Sequence, residues 1–342
     1  MKPRLHFILL VIKARCSFRR ALSALLLALF AFAAPPAFGK RTVRIGILSH
    51  RGPYHCMQQW GATGDYLSGQ LRKKILILPL KFKSIIPALN SRQVDFLLIN
   101  PAIFVRVRQK IGMTAIATLI RSIDGRPYKQ FGGVLFTLRG SPVKTLEEVR
   151  GARVMRVKAT SFGGGISAWR LFVDNGILPG ADFSYTSGNS HDSVVFEVRD
   201  AKSDVGVVRT GILESMHAEG AIDKDMFRII HAVDDDFPQV HSTRLYPEWP
   251  MAACPWTRRK LAKEMAVALI ALPPNTTAAE NAQCFGWAPP LDYSPVEECL
   301  AVVQEAIRAQ KEKEGSAEKP AEDVAEPANP PVKETPGGTA SS

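Results

Sequence analysis

A chain of 342 residues with 46% hydrophobic and 22% charged side chains is long enough to bury two compact cores, so no disulfide scaffold is needed to hold it. The net charge of +12 invites a nucleic-acid reading, but six of the cations, Lys2, Arg4, Lys13, Arg15, Arg19 and Arg20, precede residue 40, where no acid occurs. The rest are scattered, with no Lys/Arg stripe interleaved with aromatics, and no nucleic-acid partner is expected.

Arg19-Arg20 lead into the apolar run Ala21 to Ala34 and then Pro35-Pro36-Ala37-Phe38-Gly39. A basic region, a short apolar core and small residues at Ala37 and Gly39 form the pattern of a cleaved export signal over 1–39. The mature chain is expected to start near Lys40, outside the cytoplasm. Retention of this segment, with the Leu5-to-Ile12 patch, as a membrane tether is the alternative.

The alternation in Thr42 to Leu48 predicts a strand that ends in the loop Ser49 to Tyr54, followed by a helix with Trp60, Tyr66, Leu67 and Leu71 on one face. Strands are predicted at Ile75 to Leu80, Val94 to Ile99 and Met113 to Ile120, with a short helix at Ser84 to Leu89 and a further helix opened by Asn100-Pro101. Strands alternating with helices imply a mostly parallel sheet, whose guests sit at the strands' carboxyl ends, here Ser49 to Tyr54 and Asn100-Pro101. A polar connection, Arg121 to Gln130, then leads to a second series: a strand at Gly133 to Thr137, a short helix at Ser141 to Val149 capped by Thr145, and a strand at Ala152 to Val157.

The stretch Lys158 to Arg170 reads as a tight turn into a helix. Thr160 and Ser161 suit the N-cap, and Gly163-Gly164-Gly165 let a guest approach amides that a first helical turn leaves unpaired. Free amides and the helix dipole together can hold an oxoanion without a side-chain cation. The same residues also suit an ordinary helix start.

Asn189 to Val195 begins another helix, Asp204 to Val208 is a buried strand delivering Arg209-Thr210, and Phe227 to Ile230 is a strand. After Asp234-Asp235-Asp236, read as a solvated loop rather than a metal site, the chain is expected to return to the first lobe with a strand at Met251 to Cys254 and a helix at Arg258 to Leu272. A last helix starts near Ser294. The expected organisation is lobe 1 from 40–122 and 240–310, lobe 2 from 123–239, and a disordered polar tail over 311–342. Two lobes joined by two crossings make a hinged clamp.

The runs Val43 to Leu48, Val94 to Pro101, Phe131 to Val134, Ser161 to Gly164, His191 to Val195 and Asp204 to Gly211 together resemble the periplasmic solute-binding proteins of the phosphate, phosphite and phosphonate group. The resemblance implies an α/β, two-lobed periplasmic-binding-protein (type II) fold, a periplasmic receptor for a small oxyanion, and an ABC permease as partner. His241 to Pro250, Arg209 to Glu214 and Trp287 to Val296 resemble in addition the periplasmic sensor halves of tetrathionate-type histidine kinases. The polar tail instead of a membrane helix and kinase core leads to the expectation of a free-standing receptor that feeds a permease or presents its guest to a separate membrane sensor kinase.

For an oxyanion guest, Thr160, Ser161, Phe162 and Gly163 would supply hydroxyls and amides, and Arg51, Arg209 or Arg244 charge-assisted bonds, with Thr210 beside Arg209. His191 at a helix start would donate, or simply cap, and the resemblance points to the same position. Asn100 is an amide donor at a strand end. Tyr54 and Tyr128 either close over the guest or pack in the cleft. No G-x-S-x-G elbow or H-E-x-x-H helix occurs, so no enzyme is expected, nor any cofactor or metal. In an oxidising compartment Cys56, Cys254, Cys284 and Cys299 are free to pair, with Cys56–Cys254 and Cys284–Cys299 the expected bridges.

Overall fold

The computed structural model describes residues 42–313; the expected export signal lies outside the described residues, as does the tail expected over 311–342 except for residues 311–313, which are helical rather than disordered. Strand β1 (Val43–Leu48) feeds helix α1 (Pro53–Leu71), which opens on Pro53, where a missing N–H costs nothing, and buries Cys56, Trp60, Thr63, Gly64 and Leu67 at helical spacing. There follow β2 (Ile75–Leu80), α2 (Ile85–Asn90), β3 (Phe96–Leu98), α3 (Pro101–Ile111) and β4 (Thr114–Ile123). Asn100 caps α3, its side-chain oxygen accepting from the Ile103 amide at 3.0 Å.

The connection expected over Arg121 to Gln130 is instead mostly strand. β4 runs to Ile123, turns at Asp124-Gly125 and returns as β5 (Arg126–Tyr128). Both turn residues have positive φ, 49° and 73°, as a two-residue hairpin turn matched to strand twist requires. Then come β6 (Gln130–Phe131), β7 (Gly133–Leu138), β8 (Arg153–Arg156), α4 (Ser167–Asp174), β9 (Ser184–Ser187), α5 (His191–Arg199), β10 (Val205–Arg209), α6 (Ile212–Ala218) and β11 (Phe227–Ile230). The helix expected at Ser141 to Val149 shrinks to a single 3₁₀ turn, Glu147–Val149, because the Glu148 carboxylate accepts from the Lys144 and Thr145 amides and pins the preceding residues in a non-helical loop. The chain closes with β12 (Tyr246–Pro247), β13 (Pro250–Ala253), α7 (Arg259–Ile270), α8 (Thr277–Asn281), β14 (Cys284–Ala288) and α9 (Ser294–Lys313).

Two sheets result. The first has the order β14-β4-β13-β3-β1-β2, with β5 paired to β4; the second is β11-β7-β10-β8-β9. Parallel pairs, β1 with β2 and β3 in one sheet and β8 with β9 and β10 in the other, are extended by antiparallel strands where the chain enters and leaves each lobe. The short strands β6 and β12 lie on the two crossings between the sheets and bond to each other, Tyr246 opposite Phe131. Separate buried clusters sit on each sheet, and α9 joins them: Val296, Cys299 and Leu300 belong to the first core, Val303 to the second. Among the described residues no helix is long and apolar enough to cross a membrane.

Candidate functional site

The carboxyl ends of β1 and β3 face the second lobe, and both send a polar side chain across. Arg51, in the loop after β1, donates from Nε and Nη2 to the Asp192 carboxylate on α5 at 2.9–3.3 Å, and from Nη1 and Nη2 to Glu219, just past α6, at 2.6 and 2.7 Å. Those bonds raise the guanidinium above its ordinary pKa, the Glu219 bond first, and hold Glu219 below the usual carboxylate range. Asn100, besides capping α3, donates its Nδ2 to the Thr160 carbonyl at 3.1 Å. Arg51 thus works as a latch between lobes, with its fork filled by the protein's own carboxylates.

The glycine stretch begins as a single π-helical turn, Phe162–Ile166, ahead of α4 rather than as a simple cap. Ser161 accepts no side-chain capping bond; its carbonyl instead takes the Ile166 amide at 3.0 Å. The wide turn leaves the amides of Phe162, Gly163, Gly164 and Gly165 with no acceptor among the described residues, and all four residues are buried. The glycines are required by crowding. A Cβ at Gly163 would stand 2.7 Å from Arg209 Cβ, and one at Gly164 2.5 Å from Val157 Cγ2 and 2.7 Å from His191 Cε1.

A cavity of about 540 Å³ lies between the lobes, and its charged lining includes Arg51, Arg121, Arg209, Glu219 and Glu248. Thr210 also lines it. Thr160, Ser161, Phe162, Gly163, Asn100 and His191 do not: of the side chains that crowd the turn, Arg209 lines the cavity and His191 does not. Arg209 donates its Nη2 to the fully buried Glu248 at 2.7 Å and lies 4.4 Å over the Phe131 ring, while its backbone N–H donates to His191 Nδ1 at 3.4 Å. Nδ1 acting as acceptor fixes His191 as the neutral tautomer with its proton on Nε2.

Three residues important to this centre were not among the candidates read from the sequence. Arg121 was assigned to a loop, whereas the β4–β5 hairpin turns it into the cavity wall; the signal was Asp124-Gly125 between apolar-alternating segments. Glu248 lies among hinge residues and becomes visible only through Arg209. His50, unremarkable in sequence, places its ring 5.8 Å from His191 and 5.3 Å from Trp249, edge to face. Trp249 is buried and its Nε1 has no partner among the described residues. The two imidazoles therefore link a second orphan donor to the glycine turn.

Burial, then Arg209, Arg121 and Arg51, pull His50 down to about 3, and burial, then His50 and the same surroundings, pull His191 well below its ordinary value. Both rings are neutral in the folded chain, while in the unfolded chain they take up a proton near pH 6.5. Between pH 6.5 and about 3 the unfolded state binds more protons at His50, so stability falls as the pH drops, by about 1.4 kcal/mol per pH unit from this residue, and His191 acts with the same sign. The melting temperature is expected to decline from pH 7 to pH 5, and His50→Asn to make that decline shallower; an unchanged slope would mean that His50 is solvated.

Other expected contacts lie elsewhere. Tyr54 belongs to the first turn of α1, is 71% exposed and meets Gln58, because the helix starts at Pro53 and turns the phenol outward. Tyr128 packs edge-on against Phe237 at 5.4 Å. Arg244 bonds the Tyr246 hydroxyl and Glu298, away from the cavity, since β12 directs it towards α9. Among the described residues Cys56, Cys254, Cys284 and Cys299 are unbridged and buried, so neither expected bridge, Cys56–Cys254 or Cys284–Cys299, is present. Each thiol fills its own apolar site: Cys284 donates to the Gly286 carbonyl, Cys299 lies against Tyr246, and burial pushes Cys56, Cys254 and Cys284 up to about 12 and Cys299 to about 11.

Residues 45–292 match the family described as ABC transporter, phosphonate, periplasmic substrate-binding protein. The tetrathionate sensor histidine kinase of Salmonella typhimurium is 31% identical over 267 residues, covering 77% of this chain and 44% of that protein, so the chain spans less than half the length of this relative. Among solved structures, a binding protein component of a phosphonate ABC transporter from Pseudomonas aeruginosa superposes with a TM-score of 0.66 at 15% identity, over 83% of this chain and 92% of that one. PhnD1 of Prochlorococcus marinus in complex with methylphosphonate gives 0.62 at 14% identity, over 76% and 97%. A Xanthomonas citri protein bound to chloride gives 0.61 at 19%, over 79% and 99%.

Proposed function

The chain belongs to the periplasmic substrate-binding proteins of phosphonate ABC transporters, and from that premise we propose that it captures a small phosphonate-like or sulfur oxyanion between its lobes and delivers it to a membrane permease. Members of this family bind solutes and do not transform them. The observation that carries the reading is the set of buried donors without acceptors, the amides of residues 162–165 and Trp249 Nε1, joined through His50 and His191. Buried N–H groups without partners are rare in folded proteins because each costs about 1–3 kcal/mol. An oxyanion offers several acceptor oxygens at once and satisfies such a cluster with no buried counter-cation. The neutral Nε2–H of His191 and the Ser161 hydroxyl add donors of the same kind.

The lobes must part for entry, which requires releasing Arg51 and the Asn100–Thr160 bond. Thermal-shift measurements with phosphate, phosphite, methylphosphonate, sulfate, thiosulfate and tetrathionate test the reading. A ligand at a hundredfold excess over its Kd adds about 2.7 kcal/mol of stability. At least one of these anions is expected to raise the melting temperature by several degrees, and Ser161→Ala to weaken it about tenfold, the worth of one buried hydrogen bond at ~1.4 kcal/mol. No response to any of them at millimolar concentration would remove the reading.

A second reading, in which the loaded protein signals through a separate membrane histidine kinase, is supported by the 31% identity to the Salmonella typhimurium sensor. A change in kinase autophosphorylation in membrane vesicles on adding the loaded chain would favour it over uptake.

A further inference from the structure

A second opening, of about 590 Å³, lies on the first lobe between the end of α1 and the length of α7. Its lining is apolar along Leu71, Val267, Ala268 and Ala271 and carries four cations, Arg72, Lys73, Lys260 and Lys263, against the single acid Glu264. Among the described residues none of these five charges has an ion-pair partner. Arg72 and Lys73 follow the last turn of α1, where cations complement free carbonyls, but Arg259 and Lys260 stand in the first turn of α7 with no acid beside them, against the helix dipole. Val267 is 60% exposed and Ile270 44%, and Lys260, Lys263, Val267 and Ile270 recur at helical spacing, so one stripe of α7 offers two large apolar side chains beside two cations. A merely solvated face has no need of Val and Ile in its cationic stripe.

The chain outside the structure enters at the same corner. Val43 donates its amide to the Lys74 carbonyl, next to Lys73, and ahead of it Lys40-Arg41 follow the apolar run Ala21 to Ala34. Residues 35–41 span at most about 25 Å, so where that run enters a bilayer this corner lies within reach of the head groups. β1 leads from here to Leu48, beside Ser49 in the cavity lining, which puts the groove and the interlobe cavity at opposite ends of one strand.

We propose that this groove is a docking surface for an anionic lipid bilayer, with Val267 and Ile270 entering the head-group boundary and Arg72, Lys73, Lys260 and Lys263 meeting lipid phosphates. Anionic head groups supply the charge that the first turn of α7 lacks, and the acyl boundary receives the apolar pair, a combination that neither free phosphate nor water offers. The tail is the rival occupant, with six acids and two bases over 314–342, but the described chain leaves along α9 at the second lobe, where Gln310 lies beside Gly180. Which anion the cavity captures does not bear on this surface.

Hydrogen–deuterium exchange of the full chain with vesicles provides the test. Phosphatidylcholine vesicles containing one-quarter phosphatidylglycerol are expected to protect residues 69–74 and 259–271, and pure phosphatidylcholine vesicles to leave them unprotected. Salt at about 0.5 M should remove the protection, because it screens charges beyond a few ångströms. Lys260→Glu with Lys263→Glu should weaken vesicle affinity in flotation at least tenfold, each cation near an anionic surface being worth about fivefold. Lys202→Glu with Lys224→Glu, the same charge change on exposed residues of the second lobe, should weaken it less than threefold; circular dichroism melts confirm that both variants fold. No protection, equal protection by both vesicle types, or equal weakening by both double variants overturns the proposal. So does protection that follows protein concentration without vesicles, the mark of a second copy, or zero-length cross-links from Lys260 or Lys263 to residues 314–342 without vesicles, the mark of the tail.

Discussion

Arg209→Met is expected to lower stability by about 3–5 kcal/mol, because it strands the Glu248 carboxylate in the protein interior. Glu248 is fully buried, its Oε1 accepts from Arg209 at 2.7 Å and its Oε2 from the Trp249 amide at 3.1 Å. With Arg209 gone, the carboxylate keeps one backbone donor in a site whose remaining cation, Arg121, is beyond ion-pair distance. At ~2–4 °C per kcal/mol for a chain of this size class, the melting temperature should fall by roughly 6–20 °C. Glu248→Gln in the same background removes the stranded charge and is expected to recover at least half of the loss, so a double-mutant cycle should give a coupling of more than ~1.5 kcal/mol. A cost below about 1 kcal/mol for the single variant would show that Glu248 is neutral or wet, and the charge balance of the cavity would have to be redrawn.

Arg51→Ala is expected to shift the chain towards an open form. The Arg51 bonds to Asp192 and Glu219 cross from the loop after β1 to two different helices of the second lobe, while Asn100–Thr160 is a single neutral bond. Glu219 is 44% exposed, so solvent screening discounts the pair, and a loss of about 1–2 kcal/mol of closing energy is appropriate. That corresponds to a roughly 5–30-fold shift in the open–closed equilibrium. Small-angle scattering of the ligand-free variant should show a larger radius of gyration, ligand affinity should weaken by a similar factor, and the association rate should rise because entry no longer waits for the latch. Unchanged scattering together with unchanged affinity would mean that the Arg51 contacts do not set the equilibrium.

Local patterning made most of the elements legible. Val43–Leu48, Ile75–Leu80, Phe227–Ile230 and the helix opening at Pro101 were all readable because alternation, helical spacing and caps act over a few residues. Elements that depend on a distant partner were less so. The exposed strand Ser184–Ser187 has no apolar face and exists because Arg153 to Arg156 pair beside it, and Cys284–Ala288, interrupted by Gly286, exists because β4 is there to receive it. The hairpin at Asp124-Gly125 carried a local signal that the polar character of Arg121 to Gln130 obscured.

By itself, the sequence determined that Lys158 to Arg170 would form a glycine-rich strand-to-helix turn, since caps and glycines act over a few residues, and it left open whether the first amides would await a guest or simply start a helix. Only the tertiary structure decided which arginines remain available to a guest. Arg51, Arg121, Arg209 and Arg244 are alike as residues, but long-range carboxylates neutralise three of them: Asp192 and Glu219 for Arg51, Glu248 for Arg209, Glu298 for Arg244. Charge pairing depends on distances of a few ångströms between positions as many as 168 residues apart, set by the packing of two sheets rather than by any local pattern.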